Sequence, residues 1–507
     1  MGRGRCPAPP TPVIASVGRP TADGHPLDAG PPPRSARGER GAAPIVSHPV
    51  DRGGNTTGVS HALPPEARRR RRAGARFTIR LGIITAVGLA WRVWFIQMEA
   101  PIRFLTDEFW FDTEARRLFT AARFTDPVFG YPTAIHAPLG AVAFAPLVWI
   151  WPHGDDHLRL FSAVVGAATV VAFGVVGRKF AGDRVGLLAA SLAVVTPDLW
   201  MSSGLVTGDA LTALLTVCVL GVTYEALHSL TWPRGVLLGV LLGLLVLSSS
   251  ESLALAVLIP AGLALRQWRR HPVRQWPKRT VPVLVAVVMV GVVLTPWLAY
   301  NGSRFDGQVI LTTNLGQTLI SSNNPSTYFP GTDFGYQDIL PPAVHATPVQ
   351  RRDEPYMDDL QRRDAVDYAR AHVSRLAVVL PLRVLWLWSL RHPDVVAERE
   401  SLMGYPSWTG SVQAVGTWIL LALGIAGLWV LRRRHQVIWP LVTMLVLATA
   451  DGLVFTPSFR YRLDGIVALV MGSAATLDWG WGRLRSGGGR PSPPPREGTE
   501  RTGAAPA

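Results

Sequence analysis

Long apolar runs alternate with short polar or basic segments from residue 77 to residue 480. The first run, FTIRLGIITAVGLAWRVWFIQM, is long enough to cross a bilayer as a helix, and about nine similar runs follow it. A helix satisfies its own backbone hydrogen bonds within lipid, which contains no water to do so. The pattern therefore predicts an all-α, polytopic membrane protein with about ten transmembrane helices.

Basic residues predict the orientation of these helices. Five arginines, Arg68–Arg72, precede the first run, and later runs are followed by basic segments such as GRKFAGDR and RQWRRHPVRQWPKR. Short loops rich in Lys and Arg stay on the cytoplasmic side of a cell membrane. We therefore expect both termini in the cytoplasm, a first outer loop over residues 98–157 and a large outer segment over residues 300–411.

The same pattern divides the chain into successive parts. They are a basic, disordered cytoplasmic tail (1–75), a transmembrane core (76–299), the large outer segment (300–411), C-terminal transmembrane helices (412–480) and a second disordered cytoplasmic tail (481–507). The formal net charge is +15, and residues 1–80 contain fourteen arginines against five acids. Because this charge flanks a membrane span, it indicates contact with the bilayer surface and no nucleic-acid partner.

One apolar segment does not fit a full crossing. If HAPLGAVAFAPLVWIW, residues 136–151, crossed the membrane, the basic segment GRKFAGDR would face outward. We interpret it instead as a helix lying at the outer membrane surface. The first outer loop then contains two juxtamembrane helices, one starting near Thr106 and one near His136.

The segment TDEFWFDTEARRLF, which follows the first span, has a high density of acids. Two of its acids have basic residues at helical spacing: Asp112 with Arg116, and Glu114 with Arg117. Asp107 and Glu108 have no such partner along the helix. Either they are ordinary acids in the first turn, where negative charge is favoured, or they face a cleft and handle a proton or a metal ion. The spacing leaves both interpretations open.

Two further segments place charged residues on the predicted outer side. Asp209 lies at the outer start of an apolar span, where a carboxylate is costly unless it is paired or begins the helix. Arg460 and Arg462, in FTPSFRYRLDG, lie in a short outer loop. They are either interfacial arginines or contacts for a phosphate, whose geometry a guanidinium matches. Together these residues would suit a metal ion and a lipid-linked phosphate at the membrane surface.

This arrangement resembles the GT-C superfamily of polytopic glycosyltransferases, which includes protein O-mannosyltransferases and lipid A aminoarabinose transferases. TDEFWFDTEARRLF is similar to the acidic motif in the family's first outer loop, and HAPLGAVAFAPL to its His/Lys-x-Pro segment. GDALTALL resembles its second acidic position, and FRYRLDGIVAL its C-terminal RYR loop. The order of these motifs and their common side of the membrane carry the resemblance.

The resemblance implies transfer of a sugar from a polyprenyl-phosphate donor to a glycan, lipid or protein acceptor on the outer face of the cytoplasmic membrane, with inversion. Its implied residue roles are as follows: Asp107 as catalytic base; Glu108 and Asp209 as ligands of a divalent ion such as Mg, Mn or Ca; His136, Arg460 and Arg462 as contacts of the donor phosphate; Asn301 and Asn314 on the acceptor side.

The chain departs from the family pattern at two places, and two functions of other classes remain open beside the glycosyltransferase. Relatives often carry Arg or Lys where this chain has Ser249, Ser250 and Glu251, and many have Arg where Tyr300 precedes Asn301. Donor binding is therefore expected to differ in detail. A transporter would usually show charged or helix-breaking residues within its spans, and a non-catalytic membrane scaffold is the second rival. Another enzyme interpretation is a ligase that moves a glycan from a lipid pyrophosphate. The nearly charge-free spans and polar outer loops favour chemistry at the membrane surface.

Overall fold

The computed structural model describes residues 65–98, 106–121, 123–151, 156–338, 344–402 and 404–485. These residues are mainly helical, and the extended backbone among them pairs in an isolated bridge between Thr125 and Pro132. The predicted all-α class is confirmed for the described part of the chain. Residues 1–64 of the predicted tail 1–75 and residues 486–507 of the predicted tail 481–507 lie outside the described residues, whereas residues 481–485 are the end of a helix.

The first ten helices run from the first apolar segment to the end of the predicted core. They are α1 (Pro65–Ile96), α2 (Asp107–Ala121), α3 (Leu139–Ile150), α4 (Asp156–Ala181), α5 (Asp183–Val195), α6 (Pro197–Met201), α7 (Asp209–His228), α8 (Trp232–Ser248), α9 (Leu253–Arg270) and α10 (Trp276–Gly302).

Eight further helices follow. They are α11 (Leu315–Ser322), α12 (Pro325–Tyr328), α13 (Glu354–Ala371), α14 (Val373–Leu387), α15 (Pro393–Leu402), α16 (Trp408–Arg433), α17 (Trp439–Val454) and α18 (Leu463–Arg485). Among the described residues, α1, α4, α7, α10 and α16 are long and apolar enough to cross a membrane. The other predicted spans coincide with α5, α8, α9, α17 and α18, so the count of ten stays a prediction.

Two further predicted boundaries differ from the helix ends in the structure. Helix α1 begins at Pro65, so residues 65–75 are helical and do not belong to an irregular tail. Proline fits the first helical turn, and the Ala and Arg residues after it have high helix propensity. The predicted span that starts near Val185 is interrupted, because α5 ends at Val195 and Thr196 is extended before Pro197. Proline disfavours helical backbone in the residue that precedes it.

The basic helix ends meet at one end of the bundle, as the charge pattern predicts. Lys179 in the last turn of α4 forms an ion pair with Glu225 near the end of α7, and Arg234 of α8 approaches the same carboxylate at 3.6 Å. Arg434, directly after α16, lies 3.3 Å from Asp478 of α18. We call this the basic end. The first residue of α7, Asp209, lies at the opposite end.

The two helices of the first outer loop are short and pack on each other. Helix α3 has 12 residues, about 18 Å at the helical rise, whereas the hydrocarbon core is about 30 Å thick. It is therefore too short for a crossing, as predicted. Phe111 and Ala115 of α2 are buried in one cluster with Phe144 of α3. The apolar face of α2 thus packs mainly on protein.

Glycines allow the C-terminal helices to pack closely. A Cβ atom on Gly427 of α16 would overlap the backbone of Gly472 of α18, and a Cβ on Gly472 would overlap Gly424. Small residues at such crossings let helix backbones approach within a membrane, where dispersion contacts replace the hydrophobic effect. This close packing holds α18, and the Arg460–Arg462 segment before it, against the rest of the bundle.

Candidate active site

Three charged side chains from distant segments meet at the end of the bundle opposite the basic end. Arg460 donates from Nε to Asp209 Oδ2 at 2.7 Å and from Nη2 to Asp209 Oδ1 at 3.1 Å. Its Nη1 donates to Asp107 Oδ2. About a third of the Arg460 and Asp107 side chains is exposed. We call Asp107, Asp209 and Arg460 the charged triad, and it is accessible from outside the protein.

Each member of the triad occupies a helix start or a tight turn. Asp107 and Asp209 are the first residues of α2 and α7, where the helix dipole favours negative charge. Arg460 belongs to a 3₁₀ helix, Phe459–Arg462, directly before α18. Thr207 also donates to Asp209 Oδ2 at 3.2 Å. The negative charges of Asp107 and Asp209 are therefore stabilised both by their positions at helix starts and by the ion pairs with Arg460.

Glu251 and Tyr461 lie beside the triad, and neither was predicted as a site residue. Glu251 belongs to the 3₁₀ turn between α8 and α9, and Ser249 donates to its Oε2 at 2.7 Å. Burial raises the pKa of Tyr461, and the nearby Glu251 carboxylate raises it further. The feature of the sequence that could have identified Glu251 is an acid in the outer turn where relatives often carry Arg or Lys.

Glu108 is not a metal ligand in this arrangement. Arg159 of α4 donates to both of its carboxylate oxygens, at 3.0 and 2.7 Å, and the backbone N–H of Val206 donates to Oε1 at 2.8 Å. Only 3% of Glu108 is exposed. The adjacent acids Asp107 and Glu108 therefore differ: Glu108 holds α2 against α4, and Asp107 faces the site.

Arg462 is likewise buried and does not contact the exposed site. It is fully buried, and its Nε donates to Asp198 Oδ1 of α6 at 2.8 Å. Its Nη1 donates to the carbonyl of Leu387 and, at 2.9 Å, to Ser389 Oγ. The role of Arg462 in contacting a donor phosphate is therefore corrected to an internal anchor, because no face of its guanidinium reaches solvent.

His136 lies beside α2, three residues before α3 begins. Its ring centroid is 5.0 Å from that of Phe111 and 5.8 Å from that of Trp110. Burial lowers its pKa to about 4, although the nearby Glu251 carboxylate acts in the opposite direction. His136 is therefore neutral at pH 7. It can donate or accept a hydrogen bond to a phosphate, but it brings no positive charge.

The two candidate acceptor-side asparagines occupy different surroundings. Asn301 is fully buried and accepts hydrogen bonds from Arg304 at 2.7 and 3.2 Å. Asn314 immediately precedes α11, and its carbonyl accepts from Thr318, which lies near Tyr461 beside the triad. Asn314 thus lies one helical turn from a residue near the site, whereas Asn301 belongs to an internal network.

The triad does not fit a divalent metal ion as arranged. Within the described ranges, no group of three or more His, Cys, Asp or Glu side chains is positioned to hold one. Glu108 is fully engaged by Arg159, and the Arg460 guanidinium lies between Asp107 and Asp209, where a cation bridging them would bind. The positive charge between these two carboxylates is supplied by the chain itself.

A second group of buried acids joins the first outer loop to the large outer segment. Glu354 of α13 accepts hydrogen bonds from Thr313 at 2.7 Å and from the Ala134 backbone at 2.9 Å.

Glu114 is 1% exposed, and its Oε2 has no hydrogen-bond partner within the described residues. Arg117, its predicted partner, donates instead to the Asp126 and Pro127 carbonyls. The prediction for Asp112 is confirmed, since Arg116 pairs with it at 2.9 Å.

Comparisons with known proteins agree with this architecture. The family model for dolichyl-phosphate-mannose-protein mannosyltransferases matches residues 135–300. No curated protein matches the sequence. The apo oligosaccharyltransferase of Archaeoglobus fulgidus is similar in structure, with a TM-score of 0.50 and 16% identity, over 81% of this chain and 51% of that one. The chain has the GT-C fold.

Two further solved structures were found. ArnT from Cupriavidus metallidurans, bound to undecaprenyl phosphate, has 16% identity over 80% of this chain and 78% of its own, with a TM-score of 0.41. The archaeal oligosaccharyltransferase AglB, in complex with an inhibitory peptide and a dolichol-phosphate, has 14% identity and a TM-score of 0.48 over 81% of this chain and 51% of its own. The present chain spans about half the length of the oligosaccharyltransferases. The family match and the shared fold support the GT-C resemblance.

Replacing Arg462 by Gln should destabilise the protein, because it leaves the Asp198 carboxylate buried without its ionic partner. Breaking a buried pair in this way costs about 3–5 kcal/mol. Thermal unfolding in detergent should show a lower midpoint for Arg462→Gln, and the double variant Asp198→Asn/Arg462→Gln should regain part of the loss. A stable Arg462→Gln protein with weakened donor binding would instead support a direct phosphate contact.

Glu114 should make stability depend on pH. Burial, and then the carboxylate of Glu354, raise its pKa to about 8; Asp126 also raises it, whereas Arg304 and Arg117 lower it. Between its ordinary pKa of 4.5 and about 8, the folded state therefore holds a proton that the unfolded state releases, so stability falls as pH rises.

The variant Glu114→Gln removes this proton linkage. Its unfolding midpoint, measured in detergent from pH 5 to pH 8.5, should rise relative to the unaltered protein as pH increases and level off above pH 8. The comparison at pH 5 is the internal control, since Glu114 is protonated there in the folded protein. A difference between the two proteins that stays constant with pH would show that Glu114 is ionised when folded.

Proposed function

We propose that the protein is a membrane glycosyltransferase that moves a sugar from a polyprenyl-phosphate-linked donor to an acceptor hydroxyl on the outer face of the cytoplasmic membrane. The convergence of Asp107, Asp209 and Arg460 at one exposed site carries this proposal. The description of the matched family names a dolichyl-phosphate sugar donor, which supports a donor of this class. The site lies at the end of the bundle opposite the basic end. Because basic loops stay on the cytoplasmic side, this position supports a site on the outer face of the membrane.

The reaction consists of one displacement at the anomeric carbon of the sugar. The acceptor oxygen forms a bond to that carbon while the bond between the carbon and the phosphate oxygen breaks, and its electron pair stays with the lipid phosphate. The acceptor proton passes to a carboxylate at the site. Attack on the face opposite the phosphate inverts the configuration of the sugar.

Asp107 is suited to accept the proton. Its Oδ2 is bound by Arg460, whereas its Oδ1 has no hydrogen bond to the part of the chain that the structure describes. A third of the side chain is exposed, so an acceptor hydroxyl can reach this oxygen. Arg460 holds the carboxylate in place, and a fixed base is more effective than a mobile one.

Arg460 is suited to stabilise the departing phosphate. A guanidinium has five N–H donors, and three of them point to Asp107 and Asp209. The remaining two are left for phosphate oxygens, and positively charged donors are most effective where negative charge develops in the transition state. His136, neutral at pH 7, can add a hydrogen bond to the same group.

The charge balance favours proton transfer at the moment of bond cleavage. Asp107 and Asp209 share the single guanidinium of Arg460. Additional negative charge on the phosphate is therefore disfavoured unless negative charge is removed elsewhere at the site. Protonation of Asp107 by the acceptor removes one negative charge as the phosphate gains one. The base and the leaving group are thereby electrostatically coupled.

Replacing Asp107 by Asn should lower turnover by about 10²-fold or more, because a positioned general base contributes on that scale. Transfer of radiolabelled sugar from polyprenyl-phospho-sugar would be measured in vesicles that contain the purified protein. The control is Asp112→Asn, which removes a carboxylate from the same helix but outside the site. Near-normal turnover by Asp107→Asn would exclude Asp107 as the base. If the radiolabel crosses the membrane of the vesicles but is not transferred to an acceptor, the protein is a transporter.

Replacing Arg460 by Gln should weaken donor binding and slow transfer, because both the bound and the departing phosphate lose a charged partner. Binding of polyprenyl phosphate to the purified protein, together with the KM for the donor, would measure the effect, which we expect to be tenfold or more. Arg363→Gln, at an exposed arginine of α13, is the matched control. Unchanged affinity with unchanged turnover would leave Arg460 with only a structural role.

A further inference from the structure

A cavity of about 700 Å³ lies at the basic end of the bundle, away from the charged triad. It is lined by the ends of α4, α7, α8 and α9 and by the residues between α16 and α17. Helix α7 joins the two regions, with Asp209 at its first residue and His228 at its last. At the helical rise these residues lie about 28 Å apart, so the cavity is separate from the transfer site.

The cavity has an excess of positive charge. Lys179, Arg234, Arg266 and Arg270 line it, and the acid that faces them is Glu225. Lys179 and Arg234 both lie against Glu225, which satisfies part of their charge.

The side chains of Arg266 and Arg270 have no acidic partner and no hydrogen bond within the described residues, and the two arginines lie one turn apart on α9. Like charges at this spacing repel each other. An anion bound between them would relieve that repulsion.

An apolar groove continues from the cavity along α9. A second pocket of about 410 Å³ shares Arg266 and Arg270 with the first, and Gly262, Leu265 and Trp439 also line it. A Cβ atom on Gly262 would overlap the ring of Trp439, so the glycine allows the indole to lie against the helix. Leu265 is 44% exposed. The groove therefore offers apolar surface directly beside Arg266 and Arg270, and Arg269 lines it as well.

We propose that this cavity and groove bind an anionic phospholipid, with the phosphate of the headgroup at Arg266 and Arg270 and an acyl chain along Leu265 and Trp439. A basic pocket between helices at the cytoplasmic surface suits a lipid phosphate, and the outward faces of membrane helices are in contact with acyl chains. A soluble phosphate would use the arginines but gain nothing from the groove. Continuity between the basic and apolar surfaces therefore favours a lipid.

The double variant Arg266→Gln/Arg270→Gln tests the headgroup contact. The purified full-length protein would be titrated with phosphatidylglycerol in neutral phosphatidylcholine nanodiscs, and retained lipid would be counted by native mass spectrometry. We expect the variant to lose affinity for phosphatidylglycerol by about 30-fold, from two basic contacts. The control Arg483→Gln/Arg485→Gln removes the same charge from the last turn of α18, outside the cavity. If both variants lose the same affinity for phosphatidylglycerol, the effect comes from general surface charge and not from this cavity, and the proposal is overturned.

The single variant Leu265→Glu distinguishes a lipid from a soluble anion. Leu265 is 44% exposed, so the change removes little buried protein contact, and the new carboxylate lies in the groove and should expel the acyl chain. We expect a loss of phosphatidylglycerol binding with Leu265→Glu, and no competition by inorganic phosphate at millimolar concentration. Displacement of the lipid by inorganic phosphate, or full lipid binding by Leu265→Glu, would identify a soluble-anion site and overturn the lipid assignment.

Discussion

The buried ion pair between Arg462 and Asp198 is the interaction on which the site depends. Both side chains are fully buried, and Arg462 also binds the carbonyl of Leu387 and the hydroxyl of Ser389. One guanidinium therefore ties α6, the end of α14 and the start of α18 together. A buried charge tolerates little displacement, because any loss of its partner exposes it to the full cost of desolvation. The short 3₁₀ helix that contains Arg460 is fixed by this anchor.

The anchor determines where Arg460 points. Successive residues of a 3₁₀ helix project about 120° apart, so residues two positions apart leave the helix in different directions. With Arg462 held inward, Arg460 extends toward Asp107 and Asp209. The same logic applies to α2, where Glu108 is held inward by Arg159 and its neighbour Asp107 faces the site. Each exposed charge of the triad from these two segments is thus positioned by a buried charge one or two residues away.

The sequence predicted the parts of this arrangement that depend on local spacing or on helix direction. The Asp112–Arg116 pair follows from their separation by four residues, and the common side of Asp107, Asp209 and Arg460 follows from counting spans. The inward or outward direction of a side chain depends on partners distant in the chain. Arg159 is 51 residues from Glu108, and Asp198 is 264 residues from Arg462. Adjacent charges of the same type therefore looked equivalent in the sequence although their environments differ.

Two helices, α7 and α9, extend from the charged triad at one end of the bundle to the basic cavity at the other. Asp209 begins α7, and Glu225 near its other end lines the basic cavity. Glu251 lies two residues before the start of α9, and Arg266 and Arg270 lie in the last turns of that helix. Helices are stiff along their axes, so the spacing of α7 and α9 at the basic end constrains their spacing at the site. A lipid phosphate bound at Arg266 and Arg270 would reduce the repulsion between these two arginines and so stabilise the end of the same helix that Glu251 precedes at the site.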